Sequence, residues 1–258
     1  MLSAGDRPVG FEDRGTGAPV VLLHPFPFSR RLWSGVAEAL AAHQRVLTVD
    51  APGFGESPLP GGRFTIADFA DALAALLDQL KIPRATLLGM SLGGYAALAF
   101  AARHPDRLAA LVLADTRAGA DSADTRAGRD TAIALIRDAG AEAYLSGSLP
   151  RLVSPAASAE LIASLRARAE TRAPSLIAGL EALRDRPDRT AELSAIRVRT
   201  LVLRGAQDQV TPEADMQQMA TAIPAATFVS LPEAGHLAHL EAPGPFLGAL
   251  APFLRAVA

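Results

Sequence analysis

One serine in the sequence is flanked by the residue types that a serine nucleophile needs. The stretch GMSLG (89–93) has the spacing Gly-x-Ser-x-Gly and lies between a strand-like run and a run with helical spacing. A sharp strand-to-helix turn strains its middle residue, and glycines two positions away avoid collision. A phosphate-binding loop is disfavoured because the Gly-Lys-Ser/Thr ending and the Gly-x-Gly-x-x-Gly spacing are absent. The context therefore predicts a nucleophile at Ser91.

A serine hydroxyl needs a base within hydrogen-bond reach, and the chain offers five histidines. His236 follows a strand-like run and a glycine, so a loop can present it over a sheet. His239, three residues on, is the weaker candidate. His43 and His104 lie near helix ends, where exposure or capping is expected. His24 ends a strand-like run and is expected to order the loop that follows.

The base needs an acid that orients it, and two aspartates follow strand-like runs. Asp208 lies just beyond LVLRG, and Asp115 ends LAALVLAD. Catalytic groups of α/β sheets gather at such strand ends, although turn and capping roles are also common there. Asp208 is preferred because it completes the chain order Ser91, Asp208, His236, which is the order of α/β hydrolases and not of chymotrypsin-like or subtilisin-like proteases.

The elements that must position these residues alternate along the chain. Apolar runs predict strands at 19–24, 45–50, 85–90, 108–115, 199–205 and 226–232. Helical spacing occurs at 31–42, 65–80 and 92–104, and again near 211–223 and 243–257. Between about 117 and 190 helical patterns follow one another without a strand-like run. We expect a mostly parallel, twisted sheet flanked by helices, with a core of 1–116 and 191–258 and a helical cap of 117–190.

Composition excludes several classes of function. The 258 residues carry a net charge of −2, which argues against a nucleic-acid partner. Cysteine is absent, so disulfides and a cysteine nucleophile are excluded. No apolar run reaches the length of about 20 residues that spans a bilayer, and no signal peptide is evident, so a cytoplasmic protein without a membrane partner is expected. No metal or organic cofactor is implied, and no oligomeric state is predicted.

Taken together, five motifs resemble the α/β-hydrolase superfamily over nearly the whole chain: LLHPFP, DAPGFGES, GMSLGG, LVLRGAQD and EAGHLAHLEAP. The closest likeness is to the small helical-cap branch, with its carboxylesterases, cofactor-free haloperoxidases and 3-oxoadipate enol-lactonases. The resemblance implies a triad of Ser91, Asp208 and His236, and an oxyanion hole formed by the backbone N–H groups of Phe26 and Leu92.

One residue departs from the family pattern, because Pro25 stands where glycine usually follows the histidine. Proline fixes its own φ and lacks an N–H, so Phe26 is the sole donor within Pro25-Phe26-Pro27. We therefore expect the N–H groups of Phe26 and Leu92 to converge near Ser91 Oγ. Whether Pro25 affects substrate choice stays open.

The leading hypothesis is a serine ester hydrolase that acts on small acyl esters through an acyl-enzyme on Ser91. A 3-oxoadipate enol-lactone hydrolase is the first alternative; it needs a cation for the substrate carboxylate, and Arg117 and Arg126 are candidates, although a solvated surface location is expected for both. Perhydrolysis with hydrogen peroxide is the second, for which Pro27 is a weak signal. A non-catalytic small-molecule receptor on the same fold is the third.

Overall fold

The computed structural model describes residues 9–257, and within them one sheet of seven strands forms the centre of the molecule. In spatial order the strands run β1-β3-β2-β4-β5-β6-β7. They are β1 (Phe11–Arg14), β2 (Pro19–Leu23), β3 (Arg45–Val49), β4 (Ala85–Met90), β5 (Leu108–Ala114), β6 (Thr200–Gly205) and β7 (Ala226–Leu231). Neighbours from β3 to β7 pair in parallel, whereas β1 pairs with β3 in the antiparallel sense. The expected mostly parallel sheet is confirmed.

The described helices follow the strands from β2 onward, with three of them between β5 and β6. They are α1 (Ser34–Ala41), α2 (Ile66–Gln79), α3 (Leu92–Arg103), α4 (Ala123–Ser148), α5 (Ala159–Arg168), α6 (Ala173–Arg184), α7 (Glu213–Ala222), α8 (Ala238–Glu241) and α9 (Pro243–Arg255). A 3₁₀ turn over Arg30–Trp33 precedes α1, so the helix expected at 31–42 is shorter.

Helices cover both faces of the sheet, which explains the continuous apolar runs. One buried cluster includes Phe69 of α2 and Phe100 of α3. The other includes Val36 of α1 and Phe246 of α9. Every residue of β4 is buried between these layers. Strands buried on both faces lose the alternation of apolar and polar residues that a half-exposed sheet shows.

The segment between β5 and β6 contains α4, α5 and α6 and no strand in the part of the chain that the structure describes. Helix α4 is interrupted at Gly140, where φ is 85° and ψ is 170°, and it packs against α6. Ile133 of α4 and Leu176 of α6 join the buried cluster on the α2 and α3 side of the sheet. The boundaries of the proposed cap at 117 and 190 stay a prediction.

A buried carboxylate joins the start of this segment to its end. The side chain of Asp121 is inaccessible to solvent and pairs with Arg117, Arg129 and Arg186. Arg186 also lies over the ring of Tyr95 in α3, with 4.2 Å between the guanidinium carbon and the ring centroid. Three guanidinium groups on one carboxylate form a charge network that ties the helical segment to the core.

Candidate active site

Ser91 occupies the sharp turn between β4 and α3 in a strained backbone conformation. Its φ is 51° and its ψ is −113°, a combination that residues other than glycine rarely adopt. The Ser91 N–H donates to Ala114 O at the end of β5 over 3.1 Å. The Ser91 carbonyl accepts from Thr116 Oγ1 at 3.0 Å and from the Tyr95 N–H at 3.1 Å. The neighbouring strand and the following helix therefore hold the turn.

The glycines around Ser91 are required by close backbone approach. A Cβ atom on Gly89 would collide with Gly93 O, and a Cβ atom on Gly93 would collide with Leu23 O. A Cβ atom on Gly94 would lie 2.5 Å from the side chain of Thr116. The turn after β4 is thus pressed against the end of β2, which also brings the loop after β2 close to Ser91.

Asp208 and His236 meet at the same edge of the sheet. Asp208 follows β6 and His236 follows β7, and Asp208 Oδ2 lies 2.9 Å from His236 Nδ1. Both residues are buried, with His236 only 1% exposed. Two backbone hydrogen bonds join their loops, from Ala206 N to Leu231 O and from Gln207 N to Ala234 O. The structure thus brings together the acid and the base that the sequence predicted.

The surroundings of Asp208 favour its ionised form. Its Oδ1 atom accepts the N–H groups of Val210 at 2.7 Å and Thr211 at 3.2 Å. Burial acts to raise the pKa of Asp208, but the attraction of His236 and these hydrogen bonds lower the pKa below its ordinary value. An ionised Asp208 keeps a proton on His236 Nδ1, which leaves Nε2 as the nitrogen that can accept one.

Ser91 Oγ and His236 share no hydrogen bond within residues 9–257. Ser91 follows β4 and His236 follows β7, with β5 and β6 between them, so both belong to the same end of the sheet. Catalytic hydrogen bonds often tighten only when substrate is bound. The structure therefore brings together two of the three predicted triad residues by direct contact.

Two backbone donors, one in the loop after β2 and one directly after Ser91, have no hydrogen-bond partner in the described chain. Leu23 pairs with Gly89 across β2 and β4, so Phe26 and Leu92 each lie three residues beyond paired positions. Neither the Phe26 N–H nor the Leu92 N–H donates a hydrogen bond to any residue of the described chain. Leu92 also begins α3, where the helix dipole favours negative charge. That these two N–H groups form an oxyanion hole stays a prediction.

His24 orders the loop that carries Phe26, as expected. Its Nδ1 lies 3.0 Å from Pro25 O, and its Nε2 accepts the Ala51 N–H at 2.9 Å. Pro25 O also accepts the Phe28 N–H. Burial lowers the pKa of His24, partly opposed by Asp50. A neutral ring with its proton on Nδ1 satisfies both hydrogen bonds.

Comparison with known proteins assigns this geometry to a family. Residues 18–146 match the model of the alpha/beta hydrolase fold. The chain belongs to the α/β-hydrolase family. A pimeloyl-acyl-carrier-protein methyl ester esterase of Aeromonas hydrophila subsp. hydrophila is 30% identical over an alignment of 253 residues that covers 93% of this chain and 96% of that protein.

Solved structures of other α/β hydrolases superpose over almost the whole chain. An esterase from Thermogutta terrifontis has a TM-score of 0.92 and 37% identity, covering 97% of this chain and 94% of its own. The enol-lactonase from Burkholderia xenovorans LB400 has a TM-score of 0.89 and 28% identity, covering 98% of this chain and 99% of its own. The predicted fold class is confirmed.

The alternative acid of this α/β hydrolase, Asp115, makes no contact with a histidine in the described chain. It is fully buried with a φ of 43°, and its Oδ1 accepts the Gly205 N–H at 2.8 Å. Its Oδ2 is buried without a partner among the described atoms. Burial, followed by the charge of Asp208, raises the pKa of Asp115 well above its ordinary value. A raised pKa favours the neutral form of Asp115, which is less suited than Asp208 to stabilising an imidazolium.

The histidines of this α/β hydrolase other than His236 form no hydrogen bond with Asp208 in the described chain. His43 is exposed, and His104 lies at the end of α3 with its Nε2 2.9 Å from Asp71. His239 is buried against Trp33, with 4.4 Å between the ring centroids. Burial lowers the pKa of His239 to about 3. A buried histidine with so low a pKa stays neutral, so His239 is a core residue packed against Trp33.

The two arginines considered for binding a substrate carboxylate are already paired. Arg117 contacts Asp121 at 3.0 Å and Asp215 at 3.5 Å with 18% of its side chain exposed, so the expectation of a solvated surface residue is wrong for Arg117. Arg126 is exposed, donates to Arg184 O, and pairs with Asp185.

Residues 9–257 hold no group of three or more histidine, aspartate or glutamate side chains that could bind a metal ion. Over the same residues no helix combines the length and the apolar composition needed to cross a bilayer.

Proposed function

We propose that this protein is a serine hydrolase that cleaves carboxylic esters of small acyl groups through an acyl-enzyme on Ser91. The observation that carries the proposal is the contact between Asp208 and His236, at the sheet edge where Ser91 is strained. Family membership and the relatives named esterases support hydrolysis of esters. Residues 117–190 would form the cap over this site.

The reaction would begin with attack of Ser91 Oγ on the ester carbonyl carbon while His236 Nε2 takes the hydroxyl proton. The carbonyl π electrons move to oxygen, and the N–H groups of Phe26 and Leu92 stabilise that oxyanion. When the C–O bond to the alcohol breaks, His236 returns the proton to the alcohol. Water then attacks the acyl-enzyme by the same steps and releases the acid, and Asp208 stabilises the imidazolium each time.

Aromatic packing around Phe26 supports a preference for small acyl groups. The ring of Phe26 lies 5.8 Å from that of Phe54 and 6.3 Å from that of Tyr144 in α4. A Cβ atom on Gly179 of α6 would lie 2.7 Å from Phe26 Cε2, so the helix leaves no spare room there. Apolar walls this close to a proposed oxyanion donor favour short, uncharged acyl chains.

A lactone is an internal ester and would react by the same steps, and one similar structure is an enol-lactonase. A lactone that carries a carboxylate needs a cation beside it. Because Arg117 and Arg126 are paired with aspartates, they give that alternative less support than the neutral ester.

The test is hydrolysis of p-nitrophenyl acetate and butyrate by wild type, Ser91→Ala and Ser194→Ala, the last being an exposed serine away from the turn. We expect Ser91→Ala to lose at least about a thousandfold in kcat, because removing a nucleophile leaves only binding and oxyanion effects. Ser194→Ala should match wild type. A fluorophosphonate should label wild type once, at Ser91.

Hydrolysis at full rate by Ser91→Ala would refute the proposal. Absence of both fluorophosphonate labelling at Ser91 and turnover of either p-nitrophenyl ester would also refute it and would favour a binding protein. If peroxide-dependent halogenation in acetate buffer is faster than ester hydrolysis, hydrogen peroxide and not water is the preferred acyl acceptor.

A further inference from the structure

The carboxylate of Glu241, in α8, joins the loop that carries His236 to the helical segment. Glu241 Oε1 accepts the Gly235 N–H at 2.9 Å, and Glu241 Oε2 accepts the Ser154 N–H at 2.7 Å. Gly235 directly precedes His236, and Ser154 lies between α4 and α5. One carboxylate therefore holds two backbone donors from separate parts of the chain.

Two further contacts place the same short segment, 152–154, against the loops of the acid and the base. The Leu237 N–H, just after His236, donates to Leu152 O at 3.1 Å. The side chain of Gln209, next to Asp208, donates to Val153 O at 3.3 Å. Segment 152–154 thus contacts a neighbour of each member of the Asp208–His236 pair.

Close packing at Gly235 leaves little room for the backbone before His236 to move relative to segment 152–154. A Cβ atom on Gly235 would collide with Ser154 N and would lie 2.9 Å from Glu241 Oε1. The backbone before His236 therefore lies directly against Ser154, and Glu241 lies against both. A displacement of the carboxylate would have to move Gly235, Ser154 or both.

The two hydrogen bonds that Glu241 accepts within the described chain come from these two N–H donors. No arginine, lysine or histidine of residues 9–257 forms an ion pair with it, so its two acceptor oxygens are used by N–H dipoles. Hydrogen bonds to a charged acceptor are stronger than those between neutral groups. Nothing in the proposed chemistry requires a carboxylate at this position.

We propose that Glu241 is a positioning residue for His236, which fixes the backbone of the base and couples it to the helical segment through Ser154. This inference rests on the proposed function, because the placement of His236 affects turnover only if His236 is the base. Asp208 fixes the imidazole at Nδ1, and backbone hydrogen bonds hold Ala234 and Leu237 on either side of it. Glu241 adds an attachment at Gly235, the residue directly before His236.

The test compares Glu241→Gln with Glu233→Gln, a substitution of the exposed glutamate in the same loop. Glutamine keeps the shape of Glu241, but its NH₂ group must face one of the two N–H donors. We expect kcat for p-nitrophenyl butyrate to fall between about tenfold and a hundredfold, since displacement of a catalytic group by about 1 Å has effects of that size. KM should stay within about twofold, because Glu241 lies behind the base. Glu233→Gln should match wild type.

Glu241→Asp provides a second variant, which keeps the charge and both acceptors on a side chain one methylene shorter. Its kcat should lie between those of wild type and Glu241→Gln, a rescue by charge that a role in packing alone would not produce. If Glu241→Gln does not fold, the kcat and KM of Glu241→Asp decide the question in the same way. Circular dichroism on each variant identifies unfolded protein.

An unchanged kcat in Glu241→Gln would overturn the inference. A raised KM with an unchanged kcat would also overturn it, because Glu241 would then only hold the helical segment in place. Ser91→Ala is assayed in parallel. An inactive Ser91→Ala beside a fully active Glu241→Gln refutes positioning alone, whereas an active Ser91→Ala refutes the proposed function itself.

Discussion

Asp208 Oδ2 lies 2.9 Å from His236 Nδ1, and both side chains are buried. Asparagine at position 208 would keep the shape but lose the charge that stabilises an imidazolium and selects the Nδ1–H tautomer. We expect Asp208→Asn to lower kcat by about 10⁴-fold, the loss seen when a triad carboxylate becomes an amide. Steady-state hydrolysis of p-nitrophenyl butyrate measures the effect, with the exposed Asp106→Asn as control. A loss below tenfold would contradict the assigned role.

The lowered pKa of Asp208 also predicts how stability depends on pH. A carboxylate whose pKa is depressed by folding stabilises the protein fully above its ordinary pKa of about 4, and this stabilisation is lost as pH falls through the lowered value. The difference in unfolding free energy between wild type and Asp208→Asn should therefore shrink from about pH 6 to about pH 3. Urea unfolding at both pH values measures it, and a difference that grows in acid would disprove this account.

Asp115 predicts the opposite dependence, because burial raises its pKa well above the ordinary value. The folded state then binds a proton that the unfolded state releases, so stability falls as pH rises from about 4 towards the raised pKa. Asp115→Asn removes this titration. Relative to wild type, the variant should gain unfolding free energy as pH rises from about 5 to about 8, measured by urea unfolding. If the unfolding free energy of Asp115→Asn instead falls relative to wild type over that pH range, Asp115 is ionised in the folded protein.

The approach of Gly93 to Leu23 O predicts a large effect from a single methyl group. Gly93→Ala must push the start of α3 away from β2, which would separate the two proposed oxyanion donors, the N–H groups of Leu92 and Phe26. We expect a loss of about 1–3 kcal/mol in unfolding free energy, typical of overpacking, with kcat reduced about a hundredfold through the disturbed oxyanion donors.

Gly248→Ala is the matched control for this substitution, because its Cβ atom would meet nothing within 4 Å on the exposed side of α9. It should stabilise the protein by up to about 1 kcal/mol through helix propensity and leave kcat unchanged. Equal behaviour of the two alanine variants would show that the turn tolerates a side chain.

The charge network at Asp121 predicts that the stability of the fold depends strongly on this one carboxylate. Burial raises its pKa, but pairing with Arg129 and Arg186 outweighs that and lowers the pKa. Asp121→Asn would leave the buried Arg186 without its charge partner, and we expect a loss of about 3–5 kcal/mol in urea unfolding. Asp130→Asn removes the exposed partner of Arg184 and should cost at most about 1 kcal/mol. Similar losses in the two variants would argue against the network.

Much of the site was predictable because its constraints fall on residues that are close together in the sequence. Strands such as β4 were visible because a strand buried on both faces is a continuous apolar run. The turn at Ser91 was visible because its constraints fall on glycines within five positions. By contrast, β1 was missed: its residues FEDR are half-buried or exposed at the sheet edge, so they carry no apolar run.

Contacts between distant residues had no local signal. Glu241 and Ser154 are 87 positions apart, and the hydrogen bond between them depends on the path of the whole helical segment. The pairing of Arg117 with Asp215, 98 positions along the chain, likewise depends on how that segment meets α7. Sequence types alone could not separate a paired arginine from a solvated one.

Three loop groups near the site that receive the helical segment are main-chain carbonyl oxygens. The Glu170 N–H donates to Pro27 O, and the Arg172 guanidinium donates to Gly53 O and Gly55 O. On the opposite side, Leu152 O also accepts a backbone donor. Main-chain groups survive any replacement of their own side chains except by proline. The side chains that face a substrate can therefore diversify over evolutionary time while these main-chain acceptors persist. New specificities can then arise without a change in how the helical segment attaches to the loops.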